Sequence, residues 1–255
     1  MGGWSVVHRR DRWRGGASPV SVGTLTWDIA RVGGLMAYIL ITASVLIGIV
    51  LSLKWRSPLW PRLVTNELHR FVTLVGLVFI AVHTIAVALD PFIAFTPAEV
   101  LVPLLSHYRP VWVALGIVAA YVALAVYLSE RVRGRIGYAW WRRFHTLAFV
   151  VFVLATIHGL GTGSDSRTAW AIAMYLGCAG SVVILLALRL APGRGSAGHP
   201  VAAAVLMLLA VEVAIWAFSG PLRPGWNAIA NDGRGSGGVT QATQVTQAVP
   251  PAPVN

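Results

Sequence analysis

Residues 67–83 read ELHRFVTLVGLVFIAVH, and residues 141–158 read WRRFHTLAFVVFVLATIH. Each is an apolar run bounded by histidines: His69 and His83 in the first, His145 and His158 in the second, 14 and 13 residues apart. A helix rises about 1.5 Å per residue, so the two members of a pair lie roughly 20 Å apart along the axis. That is most of a hydrocarbon core about 30 Å thick. Each run therefore reads as a membrane-crossing helix with one imidazole toward either side.

Ionisable side chains inside a span are rare and mark function. Neutral imidazole is a common iron ligand, and haem iron takes axial histidines. One further span separates the two runs, so both helices run in the same direction and bring like ends to like depths. The pattern predicts two bis-histidine haems, one above the other, ligated by His69 with His145 and by His83 with His158.

The composition agrees with a chain spent largely in lipid. Of its 255 residues 56% are hydrophobic and 11% charged, with a mean hydropathy of +0.71; a soluble domain is nearer a quarter charged. The net charge of +11 reads as basic loops that orient the helices, and no nucleic-acid partner is expected. The single cysteine, Cys178, lies in an apolar run, which excludes an intrachain disulfide, and C-x-x-C-H is absent. Any haem is thus held by ligation and packing, as haem b is.

Working outward, residues 1–26 form a polar tail with Arg9, Arg10, Arg12 and Arg14, residues 27–219 the membrane domain, and residues 220–255 a Gly-, Pro-, Thr- and Gln-rich tail. The second tail cannot bury a core and reads as disordered, with no soluble domain after the spans. Six stretches are long enough to cross: about 29–52, 67–89, 111–129, 144–163, 168–190 and 200–219. The first is too long for a signal-peptide core. The short apolar segment 97–106 suits the interface before Pro110. The expected fold is all-α: a polytopic, multi-pass bundle of about six transmembrane helices in the cell membrane, with a di-haem, four-helix-type core.

Loop charge sets its orientation. Lys54, Arg56, Arg62, Arg70, Arg131, Arg133, Arg135, Arg142, Arg143, Arg189 and Arg194 fall on one side. The opposite connections hold Arg109 and Arg167 beside Asp90, Glu99 and Asp165. The basic loops are placed in the cytoplasm, although this puts the N-terminal arginines outside.

Helical phase treats the two runs differently. Fourteen steps of about 100° bring His83 within about 40° of the face of His69, with Gly76 midway, where a missing side chain leaves room between macrocycles. Thirteen steps leave His158 about 140° from His145. An irregular helix start after Trp140-Trp-Arg-Arg, or a tilted helix, would reconcile them. Each ligand imidazole should donate its second N–H to a nearby acceptor; the carbonyls four residues earlier, Phe79 for His83 and Leu154 for His158, are the expected ones. Arg70, Arg142 and Arg143 flank the inner histidines, where they either pair with haem propionates or snorkel to the interface. Phe149 and Phe152 lie between the two levels and read as packing.

These stretches resemble the ferric reductase-like transmembrane domain, a superfamily that includes NADPH oxidases, ferric-chelate reductases and the haem subunit of the bacterial methionine sulfoxide reductase system. The resemblance rests on His69-x13-His83, His145-x12-His158, Trp141-Arg-Arg-Phe before His145, and His158-Gly with Gly163-Ser-Asp165 after it, and covers roughly spans 1 to 5. It implies electron flow from a cytoplasmic donor to the inner haem, the outer haem and an acceptor outside. Oxidases and ferric reductases of this kind carry a flavin- and NAD(P)H-binding module after the last span; here no G-x-G-x-x-G follows a strand. A separate flavoprotein or a membrane quinol is then the expected donor, and span 6 an addition to the shared core.

Other residues invite chemistry less specifically. Glu212 lies inside the sixth stretch, where a carboxylate serves protons or quinone or is hydrogen-bonded and neutral. Asp90 and Asp165 end the two histidine helices outside and would meet a ferric complex or act as interfacial residues. His107 lies beside Tyr108 and Arg109; His8 and His199 receive no role. The chain is thus read as a membrane electron-transfer component of an oxidoreductase, with lipid, an electron donor and an extracytoplasmic acceptor as partners. The alternatives are a haem subunit of a dedicated extracytoplasmic reductase, and a haem-free transporter or scaffold whose histidines bind protons or metal ions.

Overall fold

A computed structural model describes residues 22–53 and 61–190. Residues 1–21 of the first tail, the second tail, the stretch 200–219 with Glu212, and His8, His199, Lys54, Arg56 and Arg194 lie outside the described residues, whereas residues 22–26, expected in the first tail, open α1. The elements in order are α1 (Val22–Ser52), α2 (Arg62–Leu89), the short α3 (Pro97–Leu101), α4 (Pro110–Ile136), α5 (Tyr138–His145), α6 (Leu147–Thr162) and α7 (Ala169–Leu190). Among the described residues five helical stretches are long and apolar enough to cross a membrane, α5 and α6 together forming one of them. No strand occurs there. The described part is the all-α polytopic bundle expected.

Burial divides the helices between core and lipid. α1, α6 and α7 share the core, in which Tyr38, Ile49, Phe152, Tyr175, Val182 and Leu186 are buried. Phe152 is fully buried and stacks on Tyr38, with ring centroids 5.9 Å apart. Thr156 Oγ1 lies 3.2 Å from Tyr38 Oη beside it. Phe152 therefore packs, as expected, against α1. On α2 the exposed residues Phe71, Leu74, Val78, Val82, Ile85 and Leu89 recur every three or four positions, so they form one stripe. In lipid that stripe costs nothing, because the surrounding acyl chains are as apolar as the side chains.

α1 packs along α2, and α4 along α6; α1 also meets α6 and α7, and α4 touches α2. α2 and the α5–α6 stretch, which carry the histidines, do not form a packed pair. Their side chains meet across a gap that α1 and α4 close from either side.

Two local features shape the ends. Gly137 has φ +79° and separates α4 from α5, a conformation open to glycine but strained for most residues. At His145 the helix breaks: Thr146 N–H donates to Arg143 O (3.2 Å) and Phe149 N–H to Thr146 O (3.1 Å). Both bonds span three residues, and such tighter turns rotate the chain by about 120° per residue. The break therefore reduces the offset between His145 and His158, and is the irregular helix start that was one of the two ways to reconcile them.

Candidate functional site

The fold brings all four histidines of the two runs into cross-helix pairs. The rings of His69 and His145 have centroids 6.1 Å apart, and those of His83 and His158 6.2 Å apart, both nearly edge-on. One pair lies at the basic-loop end and the other at the opposite end.

The second-nitrogen contacts correct one expectation. His83 Nδ1 donates to Ala30 O at 2.7 Å and His158 Nδ1 to Trp112 O at 2.8 Å. The acceptors lie on α1 and α4, not on the histidines' own helices at Phe79 and Leu154. A carbonyl can only accept, so Nδ1 carries the proton and Nε2 keeps its lone pair free for a metal.

Glycine makes this approach possible. A Cβ at Gly34 would lie 3.0 Å from His83 Nδ1, and one at Gly116 2.5 Å from His158 Nδ1. Each glycine stands four residues after the accepting carbonyl, and its missing side chain leaves that carbonyl open to a neighbouring helix. Gly48 repeats the arrangement under His69, 3.5 Å from Cε1. There Ser44, four residues earlier, meets the ring with its backbone and also with its side chain, Ser44 Oγ lying 3.4 Å from His69 Nδ1. Proton bookkeeping fixes the order of this network. Thr73 Oγ1 donates to His69 O (2.7 Å), so Ser44 must donate to Thr73 Oγ1 (2.7 Å) and is left to accept from His69. Among the described residues His145 has no such partner: its buried Nδ1 makes no hydrogen bond there, and its ring stacks on Trp141 with centroids 4.9 Å apart.

A cavity of about 540 Å³ surrounds the outer pair, within the range of roughly 300–1,000 Å³ usual for small-molecule and cofactor clefts. His83, His158, Gly34, Gly116, Tyr108 and Tyr175 are among its lining residues. A smaller cavity of about 60 Å³ lies between the two histidine levels and is lined by Gly76, Thr73 and Val151. Gly76 itself faces α1, where an added Cβ would meet Leu40 Cβ at 3.5 Å.

The inner arginines lie outside the gap. Arg70 is exposed and 3.6 Å from Glu67. Arg142 and Arg143 are exposed too, with the Arg143 guanidinium 5.0 Å over the Trp140 ring. On the outer side Asp90 is buried, accepting from Thr26 Oγ1 and Ile93 N–H, both at 3.3 Å. Asp165 pairs with Arg31, whose Nε is 3.0 Å away. Both carboxylates are thus engaged within the protein.

Glu99, in the loop over the outer cavity, closes a capping box with Thr96 and accepts from His107 Nδ1 at 2.5 Å. The Thr96 backbone N–H, followed by His107, holds its carboxyl down at about 2. Arg109, the residue before α4, has φ +44° and donates from Nη1 to Gly161 O at 2.6 Å.

Sequence reasoning missed Arg31, Ser44 and the glycines beneath the rings. One signal was available: Gly34 and Gly48 are 14 residues apart, the same interval as His69 and His83 on the neighbouring antiparallel helix.

A family model described as "Ferric reductase like transmembrane component" matches residues 33–156, from the outer half of α1 into α6. The match includes His69, His83 and His145 and stops two residues before His158, so it is shorter than the five spans anticipated. No curated protein and no solved structure matches the chain. Apolar crossing helices and this match make the chain a multi-pass membrane protein, whose residues 33–156 are similar to the ferric reductase-like transmembrane component family.

Proposed function

We propose that the protein is the membrane component of an electron-transfer system and holds two b-type haems, one between His69 and His145 and one between His83 and His158. Similarity to that family supports the electron-transfer role, since such domains generally bind haem. The observation that carries the finer reading is the pair of ring separations. Two imidazoles on opposite sides of one metal, each bonded at about 2 Å, place their ring centroids roughly 6 Å apart. The separations of 6.1 and 6.2 Å fit this at both levels.

Bound haem supplies one-electron cycling between ferric and ferrous iron. The chain's own residues do the rest. Ala30 O, Trp112 O and Ser44 Oγ hold Nδ1 protons, which orients Nε2 of three imidazoles. Gly34, Gly48 and Gly116 let those rings sit against neighbouring helices. Gly76, which borders the small cavity between the levels, lets α2 approach Leu40 of α1. Arg70, Arg142 and Arg143 supply positive charge at the inner end, where propionates would be anionic. The basic face receives electrons from a separate flavoprotein or quinol, and the acceptor lies on the extracytoplasmic side. The domain reading stays as 27–219 for the membrane part, with tails at 1–26 and 220–255.

The experiment is a haem count. Purified protein supplied with haem should show dithionite-reduced b-type bands and two haems per chain as the pyridine haemochrome. His83→Ala and His158→Ala should each remove about one. A protein that takes up no haem when haem is available would overturn the reading in favour of a haem-free transporter or scaffold.

A further inference from the structure

The two histidine levels are not built alike. At the outer level both imidazoles donate to backbone carbonyls at 2.7 and 2.8 Å. At the inner level His69 has no backbone carbonyl at the 2.7–2.8 Å of the outer pair and shares a looser contact with Ser44, whose hydroxyl is 3.4 Å away beside its backbone, and His145 Nδ1 is buried with no acceptor among the described residues. α4 offers no glycine at the corresponding inner depth. Its positions there are Ser129, whose hydroxyl donates to Val126 O at 2.6 Å, and Glu130, paired with Arg133 at 2.8 Å. Trp141 occupies the place beside His145 that a helix backbone occupies beside the other three rings.

A strong acceptor on the far nitrogen makes an imidazole a more basic ligand. A more basic ligand favours the higher oxidation state of the metal and lowers its potential, one of the levers by which a protein tunes haem. Local charge acts in the same sense. Arg142 and Arg143, with Arg70 paired to Glu67, adjoin the inner histidines, whereas the outer end carries Asp165 paired with Arg31, and buried Asp90 together with buried Arg109. Resting on the two-haem reading, we infer that the chain sets the inner centre at the higher potential and the outer centre at the lower, with Ser44 as a positioning residue that tunes the inner one through His69. At equilibrium the inner centre then holds an added electron for the greater share of the time.

The test uses the full chain purified in detergent, with haem counted before an optical redox titration. Two components are expected. Ser44→Ala removes the hydroxyl that His69 reaches, leaving only the backbone of residue 44, and should move the upper component further up while leaving the lower in place. Ser44→Thr, which keeps a hydroxyl, should restore the original curve. His83→Ala should remove the lower component. Should that variant lose both haems, the Ser44→Ala titration still assigns the inner centre. A haem count below two overturns both the two-haem reading and this inference. Two haems with equal potentials, with Ser44→Ala moving the lower component, or with neither component moved, overturn the inference alone.

Discussion

Replacing Gly116 by alanine should loosen the outer haem while leaving the helix that carries the change at least as stable as before. The added Cβ would stand 2.5 Å from both Nδ1 and Cε1 of His158, where heavy atoms prefer about 3.5 Å or more. The ring must therefore move by about 1 Å. Its hydrogen bond to Trp112 O, now 2.8 Å, then stretches beyond useful length. Loss of such an outer contact typically weakens metal binding about 10–100-fold, or about 1.4–2.8 kcal/mol. Alanine is meanwhile the better helix former by roughly 0.5–1 kcal/mol, so general unfolding is not the expected cause. The glycines grade the prediction. Gly34→Ala brings a Cβ to 3.0 Å from His83 Nδ1 and asks for a smaller shift; Gly48→Ala reaches 3.5 Å from His69 Cε1, an ordinary contact. Haem titration into the apoprotein, followed by absorbance, should give losses in the order Gly116→Ala, Gly34→Ala, Gly48→Ala, with the last near wild type. Wild-type haem affinity in Gly116→Ala, or an inverted order, would refute the proposed seating of the rings.

Phe152 is fully buried between α1 and α6, so Phe152→Ala should cost about 3–5 kcal/mol, seen as a lower thermal transition in detergent at unchanged haem stoichiometry per folded chain. The carboxyl of Glu99 is depressed to about 2 by the Thr96 backbone N–H and His107. The stability it lends the outer loop is complete above the usual carboxylate range near 4.5 and is lost as pH falls toward 2. Hydrogen exchange of residues 96–107 should rise across that window in the wild type and show no such rise in Glu99→Gln. Asp165→Asn removes the partner of Arg31 in a partly exposed pair. The expected cost is about 1 kcal/mol or less, read as a small fall in thermal stability, and a loss several times larger would contradict that assignment.

Much of this was legible in the chain. Apolar length located the five crossing stretches found among the described residues, because a hydrocarbon core demands long helices with satisfied backbones. The histidines at 69, 83, 145 and 158 stood out because few ionisable groups are tolerated in such segments. The break at His145 was one of two resolutions, with a tilted helix, that the phase of His145 and His158 left open. The partners of the ring nitrogens were not legible. Phe79 and Leu154 were the nearest carbonyls along the sequence, yet Ala30 and Trp112 on other helices accept the protons.

Periodicity describes one helix at a time. It ranks the faces of α2 by apolarity but does not state how α1 is rotated against it. Which carbonyl lies open to an imidazole depends on the rotation and tilt of two helices together, and on whether a glycine removes the side chain that would cover it. For the same reason His69, His83 and His158 gained partners while His145 was left without one among the described residues: only packing in three dimensions decides which backbone comes within reach. The sequence by itself determined the crossing stretches among the described residues, their depth and which imidazoles share a level. The tertiary structure alone decided how each ring is held, because that outcome is set by contacts between helices.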